Sequence, residues 1–370
     1  MRIAYLITSL GIGGAERQVI GLARRMTQRG HIVKLFILLP PGEQDWSINS
    51  GPQPLEALHL NVRKQPLNVL QALARGATEL RVFHPDLIHS HNFHGNLAAR
   101  ILRPFLPQTP VLSTIHNIYE GAWPRMLAYR LTDPLSSCTI AVSEAVRERY
   151  IQLRAVPAAK ISVISNGIET SDFTPDTARR AQTRAALGLR DEFLWLATGR
   201  LAPAKDYPTL LCAFAQLLPA APAAKLVIAG FGAPEYTTEL RALANSLNLI
   251  QAIHWLGPRS DIPALLDAAD AFVLSSAWEG MPLALGEAMS MAKPIVATDA
   301  GGVRELAGPG VKLIPPQKAE ALAATMLDTM HLGAQARAES GQSARARILE
   351  HFNMDTQSKK WEEIYASMLY

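Results

Sequence analysis

Two carboxylates, Glu279 and Glu287, bracket the run Glu279-Gly280-Met281-Pro282-Leu283-Ala284-Leu285-Gly286-Glu287. Residues 271–275 before it read as a buried strand and residues 283–291 as a helix, so the pair straddles a strand-to-helix turn. Ligands of open α/β sheets bind beyond the carboxyl ends of the strands, where a helix start offers unpaired backbone N–H groups to an anion. A diphosphate and its sugar fit such a place. A carboxylate is an acceptor only, so Glu279 on the loop suits sugar hydroxyls and Glu287, one to two turns into the helix, suits a ribose diol. Taken alone, the segment also fits one capping and one exposed glutamate.

A second segment adds cations. Gly199-Arg200-Leu201-Ala202-Pro203-Ala204-Lys205 follows another strand-like run, 193–198, and places Arg200 and Lys205 at the same sheet edge. Arg can bind two phosphate oxygens at once and Lys acts as a point charge. Arg-x4-Lys followed by Glu-x7-Glu, each behind a strand, is far more specific than either part. In the first half, Gly11-Ile12-Gly13-Gly14-Ala15-Glu16-Arg17 stands between a strand-like run, 2–7, and a helical pattern. Gly13 and Gly14 permit close backbone approach to an anion, or simply a tight turn; a dinucleotide fingerprint fails because position 16 is Glu16. Histidines gather in His89-Ser90-His91-Asn92-Phe93-His94 and Thr114-Ile115-His116-Asn117, both just beyond strands. No His-x3-His on a helix, no cysteine and no carboxylate pair at ligand spacing accompanies them, so no metal is expected. They read as a polar wall with His116 donating to a sugar, or else as core histidines.

The elements that must hold these groups alternate along the chain. Strand-like runs at 2–7, 32–39, 86–90, 110–114, 138–142 and 161–164 are separated by helical patterns, and the scheme repeats at 193–198, 225–229, 253–256, 271–275, 294–298 and 311–314. Two mostly parallel, doubly wound domains are expected, with the polar stretch 174–190 as linker and a last helix over 354–369. The length of 370 residues suits two domains, and 48% hydrophobic with 18% charged residues suits globular α/β structure. Cys138 and Cys212 are too few for a disulfide framework and read as free thiols of a reducing compartment. The amino terminus lacks the features of a secretion signal, and no run of about 18 apolar residues is present to cross a membrane. Residues 1–180 carry 20 Lys and Arg against 13 Asp and Glu, while residues 181–370 carry 16 against 19. A basic first half suits a phosphate-bearing partner or an anionic membrane surface.

The chain resembles glycosyltransferase family 4, the retaining enzymes of the GT-B fold. The resemblance spans nearly the whole chain. It rests on Gly13-Gly14-Ala15-Glu16-Arg17, His89-Ser90-His91, His116, Ala141-Val142-Ser143, Asn166-Gly167-Ile168, Gly199-Arg200 with Lys205, Ala229-Gly230-Phe231-Gly232, Leu256-Gly257, Ala269-Asp270 and Glu279 to Glu287, in that order. It departs at Glu169, where the family often has Asp, and at Asp206, where Gly is common; neither is a side chain expected on phosphate or sugar.

The resemblance implies an α/β GT-B architecture of two Rossmann-like doubly wound domains facing a central cleft. An acceptor-binding domain would span 1–175, a linker 176–190, a nucleotide-sugar domain 191–350, and a helix over 351–370 would return toward the first domain. Arg200 and Lys205 would bind the donor diphosphate, Glu287 the ribose, and Glu279 with the backbone of Gly280, Met281, Pro282 and Leu283 the sugar hydroxyls. Gly13, Gly14 and Gly232 would approach the donor, and Pro258 and Arg259 would border the nucleobase. His116 would sit by the transferred sugar, completing a catalytic set with Glu279, Arg200 and Lys205, while Glu16, Arg17, His91, Asn92 and His94 would lie on the acceptor side. The implied reaction is front-face transfer from a UDP-linked donor to a saccharide or lipid-linked saccharide of envelope or exopolysaccharide synthesis. It uses neither metal nor other cofactor, consistent with a chain that has no D-x-D motif. Nucleic acid is not an expected partner. An anionic membrane is, through Arg100, Arg103, Arg125 and Arg130 in the apolar segments 97–106 and 123–131, giving a cytoplasmic protein peripheral to the inner membrane face. A GT-B-fold nucleotide-sugar epimerase or phosphorylase is the alternative. A nicotinamide oxidoreductase is disfavoured by the missing third glycine.

Overall fold

Aliphatic and β-branched runs of the first half form β1 (Arg2–Ile7), β2 (Ile32–Ile37), β3 (Glu56–His59), β4 (Leu87–His91), β5 (Val111–Ile115), β6 (Cys138–Ala141) and β7 (Ile161–Val163). The computed structural model describes residues 1–11, 13–42, 54–121 and 123–369. All seven strands pair in parallel in the order β3-β2-β1-β4-β5-β6-β7. Strands buried on both faces need apolar side chains at every position, and β1 shows why. Ile3, Tyr5 and Ile7 enter one core with Leu22, Met26 and Trp361, whereas Ala4 and Leu6 enter another with Leu80, Ala99 and Leu102. β3 has no such run; its half-exposed Glu-Ala-Leu-His edge was not expected from the sequence.

The second half forms β8 (Leu194–Thr198), β9 (Lys225–Ala229), β10 (Ile253–Gly257), β11 (Ala271–Leu274), β12 (Ile295–Thr298) and β13 (Leu313–Ile314), again parallel, in the order β10-β9-β8-β11-β12-β13. Strand order reverses between β1 and β4 in one sheet and between β8 and β11 in the other. Those switch points are where an open α/β sheet leaves room for a ligand.

The boundaries differ from the expected ones. One compact unit is Met1–Gly167 with Met354–Tyr370, and the other is Ile168–Asn353. Residues 176–190 are no linker: Thr177–Ala186 is a helix of the second unit, capped by Asp176, whose carboxylate accepts the N–H groups of Ala178 (2.8 Å) and Arg179 (3.0 Å). Its charges suggested a solvated tether. They instead dock the helix, Arg179 on Asp267 and both Arg180 and Arg184 on Asp270. The Met354–Ser367 helix belongs to the first unit, where Arg25 pairs with Asp355 and Arg29 and His31 with Glu362, while Trp361 and Tyr365 fill the core.

Arg100 also departs from expectation. It is fully buried, and its guanidinium donates to the Ser113, Thr132 and Thr139 hydroxyls and to the Tyr129 carbonyl. Hydroxyls from three later segments satisfy it, so it is a core residue and no part of a membrane-facing surface.

Candidate active site

At the switch point of the second sheet, the chain leaves β8 at Thr198 and reaches Lys205 through a short 3-10 turn, Pro203–Lys205. It leaves β11 at Leu274 and runs through Glu279 to the Leu283–Ser290 helix. Polar contacts weld the two loops. Ser275 Oγ donates to the Lys205 carbonyl (2.8 Å) and the Ala277 N–H to the Ala204 carbonyl (2.9 Å). Lys205 Nζ and Ser276 Oγ then both donate to Glu279 Oε1, at 2.5 Å and 2.6 Å. Sequence reasoning missed Ser276, although it stands three residues before Glu279.

Asp206, at φ 47° and ψ 50°, occupies the left-handed conformation that favours glycine. Here Asp is accommodated because its side chain caps the Tyr207–Leu217 helix by accepting the Thr209 N–H at 3.4 Å.

The Leu283–Ser290 helix has no side-chain cap. The amides of its first turn have no intrahelical acceptor, and they carry the positive end of the helix dipole. Glu287 lies in its second turn and is buried. Gly280 and Met281 lead into the helix, with Pro282 at its N-cap.

Arg200 is exposed and has no side-chain partner among the described residues. It lines a depression of about 460 Å³ together with Leu201, Pro203, Phe231, Gly232 and Tyr236. The β9 loop reaches this place because Gly230 and Gly232 carry no side chains. A Cβ on Gly230 would stand 1.8 Å from the Gly199 carbonyl oxygen, and one on Gly232 2.2 Å from that of Leu201. Pro258 and Arg259 are exposed beyond β10, two strands from β8, and Arg259 is held by both oxygens of Asp261 (2.7 and 2.6 Å). The second unit thus joins Lys205 directly to Glu279, whereas Arg200 and Arg259 stand apart from that pair.

In the first unit, Gly13 is the N-cap of the Gly14–Gln28 helix, and the Glu16 side chain lies over it, with Arg17 in the next position. At the switch point, His91 ends β4 at the N-cap position of the Asn92–Leu102 helix, with no side-chain capping bond, and His116 follows β5. Asn92 is half-buried at φ 62° and His94 is exposed. His91 Nδ1 and His116 Nε2 are 3.1 Å apart. Burial pushes His91 well below its ordinary pKa and His116 down to about 4, so both rings are neutral near pH 7. Two neutral rings share one proton across that bond. Their outer nitrogens, His91 Nε2 and His116 Nδ1, are therefore one N–H and one lone pair in either tautomer, and both are buried without a partner among the described residues. Such a pair suits hydroxyl groups, which donate and accept together.

Glu120, four residues beyond His116, was not singled out. It is buried, and desolvation raises its carboxyl to about 7 despite the Tyr129 hydroxyl donating to Oε2 at 2.8 Å and the nearby Arg125 cation. Arg125 donates to the Glu120 carbonyl at 2.5 Å and stacks on Phe93. Among the described residues no group of three or more His, Cys, Asp or Glu is arranged to hold a metal ion.

Comparison with known proteins bears on the family and the fold. Residues 12–172 match the model "Glycosyltransferase Family 4" and residues 179–347 the model "Glycosyl transferases group 1". The chain is 31% identical over 229 residues to the UDP-Gal:alpha-D-GlcNAc-diphosphoundecaprenol alpha-1,3-galactosyltransferase of Escherichia coli, a match covering 59% of this chain and 58% of that enzyme. It is 26% identical over 392 residues to the glycogen synthase of Mycobacterium tuberculosis, covering 96% and 91%. The Anabaena Alr3699/HepE structure in complex with UDP-glucose superposes with a TM-score of 0.89 at 26% identity, over 99% of this chain and 100% of that one. With two parallel-sheet α/β units and both family models in sequence order, the chain belongs to the family 4 glycosyltransferases of the GT-B fold, enzymes that take their sugar from a nucleotide donor.

Proposed function

We propose that this glycosyltransferase is retaining and metal-independent, and that it moves a hexosyl or N-acetylhexosaminyl group from a UDP-linked donor to a saccharide or lipid-linked saccharide of envelope or exopolysaccharide synthesis. The observation that carries it is the Lys205–Glu279 pair at an uncapped helix start. An ammonium and a row of amides stand fixed where the charge of a leaving diphosphate develops, and preorganised charge of this kind lowers the barrier more than anything else such a site can offer. Lys205, Arg200 and the first-turn amides take the diphosphate, Glu287 the ribose, and Glu279 the sugar hydroxyls. His116 serves the transferred sugar. The bond from the anomeric carbon to the diphosphate oxygen breaks while the bond to the acceptor oxygen forms on the same face, and the acceptor proton passes to the departing diphosphate. No nucleophilic carboxylate is required.

The nature of donor and acceptor draws support from the named substrates of the Escherichia coli relative and from UDP-glucose in the Anabaena structure. A lipid-linked acceptor requires approach to a membrane, and no described helix is long and apolar enough to cross one. The Trp123–Thr132 helix exposes Trp123 (72%) and Leu131 (69%) beside Arg130, and we assign this face to an anionic leaflet.

The test is transfer from UDP-hexoses to saccharide acceptors with excess EDTA, followed by NMR of the new anomeric centre. Undiminished transfer with the donor's configuration kept is expected. An inverted product, or a strict need for Mg or Mn, would remove the mechanism.

A further inference from the structure

The His91–His116 pair does not stand on its own strands alone. His89, two residues earlier on the same face of β4, is fully buried beneath it, its ring centroid 4.0 Å from that of His91. Its two nitrogens are held from opposite sides. Nε2 lies 2.7 Å from Thr114 Oγ1 on β5, and Nδ1 lies 2.6 Å from the Tyr365 hydroxyl, which lies 3.0 Å from that of Tyr5 on β1. Tyr365 comes from the Met354–Ser367 helix, far along the chain from every other member of this set.

We propose that Tyr365 is a positioning residue for His116: its hydroxyl fixes the His89 ring against which the tilted His91 ring packs, and His91 Nδ1 in turn holds His116 Nε2. This rests on the reading of His116 as a contact to the transferred sugar.

The arrangement has the properties such a role needs. A side chain that must present one nitrogen to a ligand is best locked by packing and by hydrogen bonds to groups behind it. Tyr5 stacks near His91 (5.8 Å, 25°) and Trp361 lies against His89 (4.7 Å), so the rings cannot rotate freely while the Tyr365 bond is made. Burial keeps the Tyr5 and Tyr365 hydroxyls protonated and His89 neutral. The row Tyr5–Tyr365–His89–Thr114 is therefore uncharged, and its hydrogen bonds can run in either direction without leaving a buried ion. Removing the Tyr365 hydroxyl strips Nδ1 of its hydrogen bond in a place water does not reach, and the ring can flip to seek another partner. The His91 ring packed against it at 4.0 Å then loses its fixed orientation, and with it the bond to His116.

Four variants of the full chain test this: Tyr365→Phe, Thr114→Val, Glu362→Gln and His116→Ala. Glu362 lies on the same helix as Tyr365 but pairs with Arg29 and His31, away from the histidine row. Tyr365→Phe is expected to lower kcat about fivefold or more with donor KM within about twofold, and to shift the His116 ring signals in 15N NMR of the ligand-free chain. Thr114→Val removes the other bond to His89 and should do the same, which keeps the test open should Tyr365→Phe fold poorly. Glu362→Gln should lower the melting temperature and leave kcat within about twofold. The inference is overturned if His116→Ala lowers kcat roughly tenfold while the folded Tyr365→Phe and Thr114→Val chains turn over normally. It is overturned as well if Tyr365→Phe and Glu362→Gln lose activity in step with their melting temperatures. A His116→Ala variant of normal activity removes the reading of His116 first, and the role of Tyr365 with it.

Discussion

Without a donor, Lys205 and Glu279 neutralise each other, and Ser276 holds the same carboxylate oxygen. On the proposed reading, a diphosphate arriving at the helix start would take part of the Lys205 charge and leave Glu279 better able to accept from sugar hydroxyls. Each member therefore works only while the other is present. Glu279→Ala and Lys205→Ala should each lower transfer at least about tenfold, about 1.4 kcal/mol of transition-state stabilisation, with the fold kept. Steady-state rates beside circular dichroism check this, and a folded variant of near-native rate removes its residue from the site. These residues were legible because each stands at a fixed offset from a strand end. Ser276, Glu120 and Tyr365 were not, because their meaning lies in partners that the sequence alone does not bring together. Glu120 gives a second prediction at this scale. Its folded carboxyl titrates near 7, above the ordinary value of 4.5, because burial disfavours the anion. A raised pKa contributes stability that is complete below about 4.5 and lost as pH rises through about 7, up to about 3 kcal/mol. The buried histidines, with lowered values, act oppositely over pH 4 to 6.5 and mask this in the wild type. Relative to wild type, Glu120→Gln should thus become more stable between pH 5 and pH 8 in urea unfolding; a difference that does not change with pH rejects the assignment.

Among the elements, the strands were readable where both faces are buried, since β1, β4, β5, β8 and β11 are nearly unbroken in burial. β3 escaped because an edge strand needs no such run. The Thr177–Ala186 helix was mistaken for a tether because its arginines find their aspartates roughly ninety residues on, at Asp267 and Asp270. The loops are bound more tightly than their composition suggests. Gly230 lets the β9 loop lie against the β8 loop, backbone to backbone, and there a methyl group meets the Gly199 carbonyl rather than a side chain that could yield. Gly230→Ala should cost at least about 2 kcal/mol, lowering the melting temperature by roughly 4–8 °C, and should weaken UDP binding by displacing the Arg200 loop. Thermal scans with a UDP titration report both. An unchanged midpoint means that the two loops are free to part.

For the whole molecule, the basic bias of residues 1–180 survives the loss of buried Arg100 from its membrane-facing set. Arg103 is partly withdrawn too, donating to Ser137 at 2.7 Å. Arg125 is engaged by the Glu120 carbonyl and the Phe93 ring, which leaves Arg130 with exposed Trp123 and Leu131 for the proposed contact, a small one suited to reversible attachment, its cation contributing about 1 kcal/mol near an anionic leaflet. The protein should co-sediment with anionic vesicles at low salt, release at high salt, and ignore neutral vesicles, and Trp123→Ala should weaken the binding. No binding to anionic vesicles at low salt points to an acceptor met away from a membrane.

The placement of the Met354–Ser367 helix also bears on how the chain is born. The unit begun first at the ribosome takes Trp361 and Tyr365 into its core, and these are made only after all of Ile168–Asn353. At about 5–20 residues per second, that segment occupies synthesis for roughly 10–40 s, during which part of one face of the first sheet lacks the cover that Trp361 and Tyr365 give it. The second unit is a single uninterrupted stretch and suffers no such delay. The two units are thus completed in the reverse of the order in which they are begun, and it is the earlier one that a nascent-chain chaperone has reason to shield.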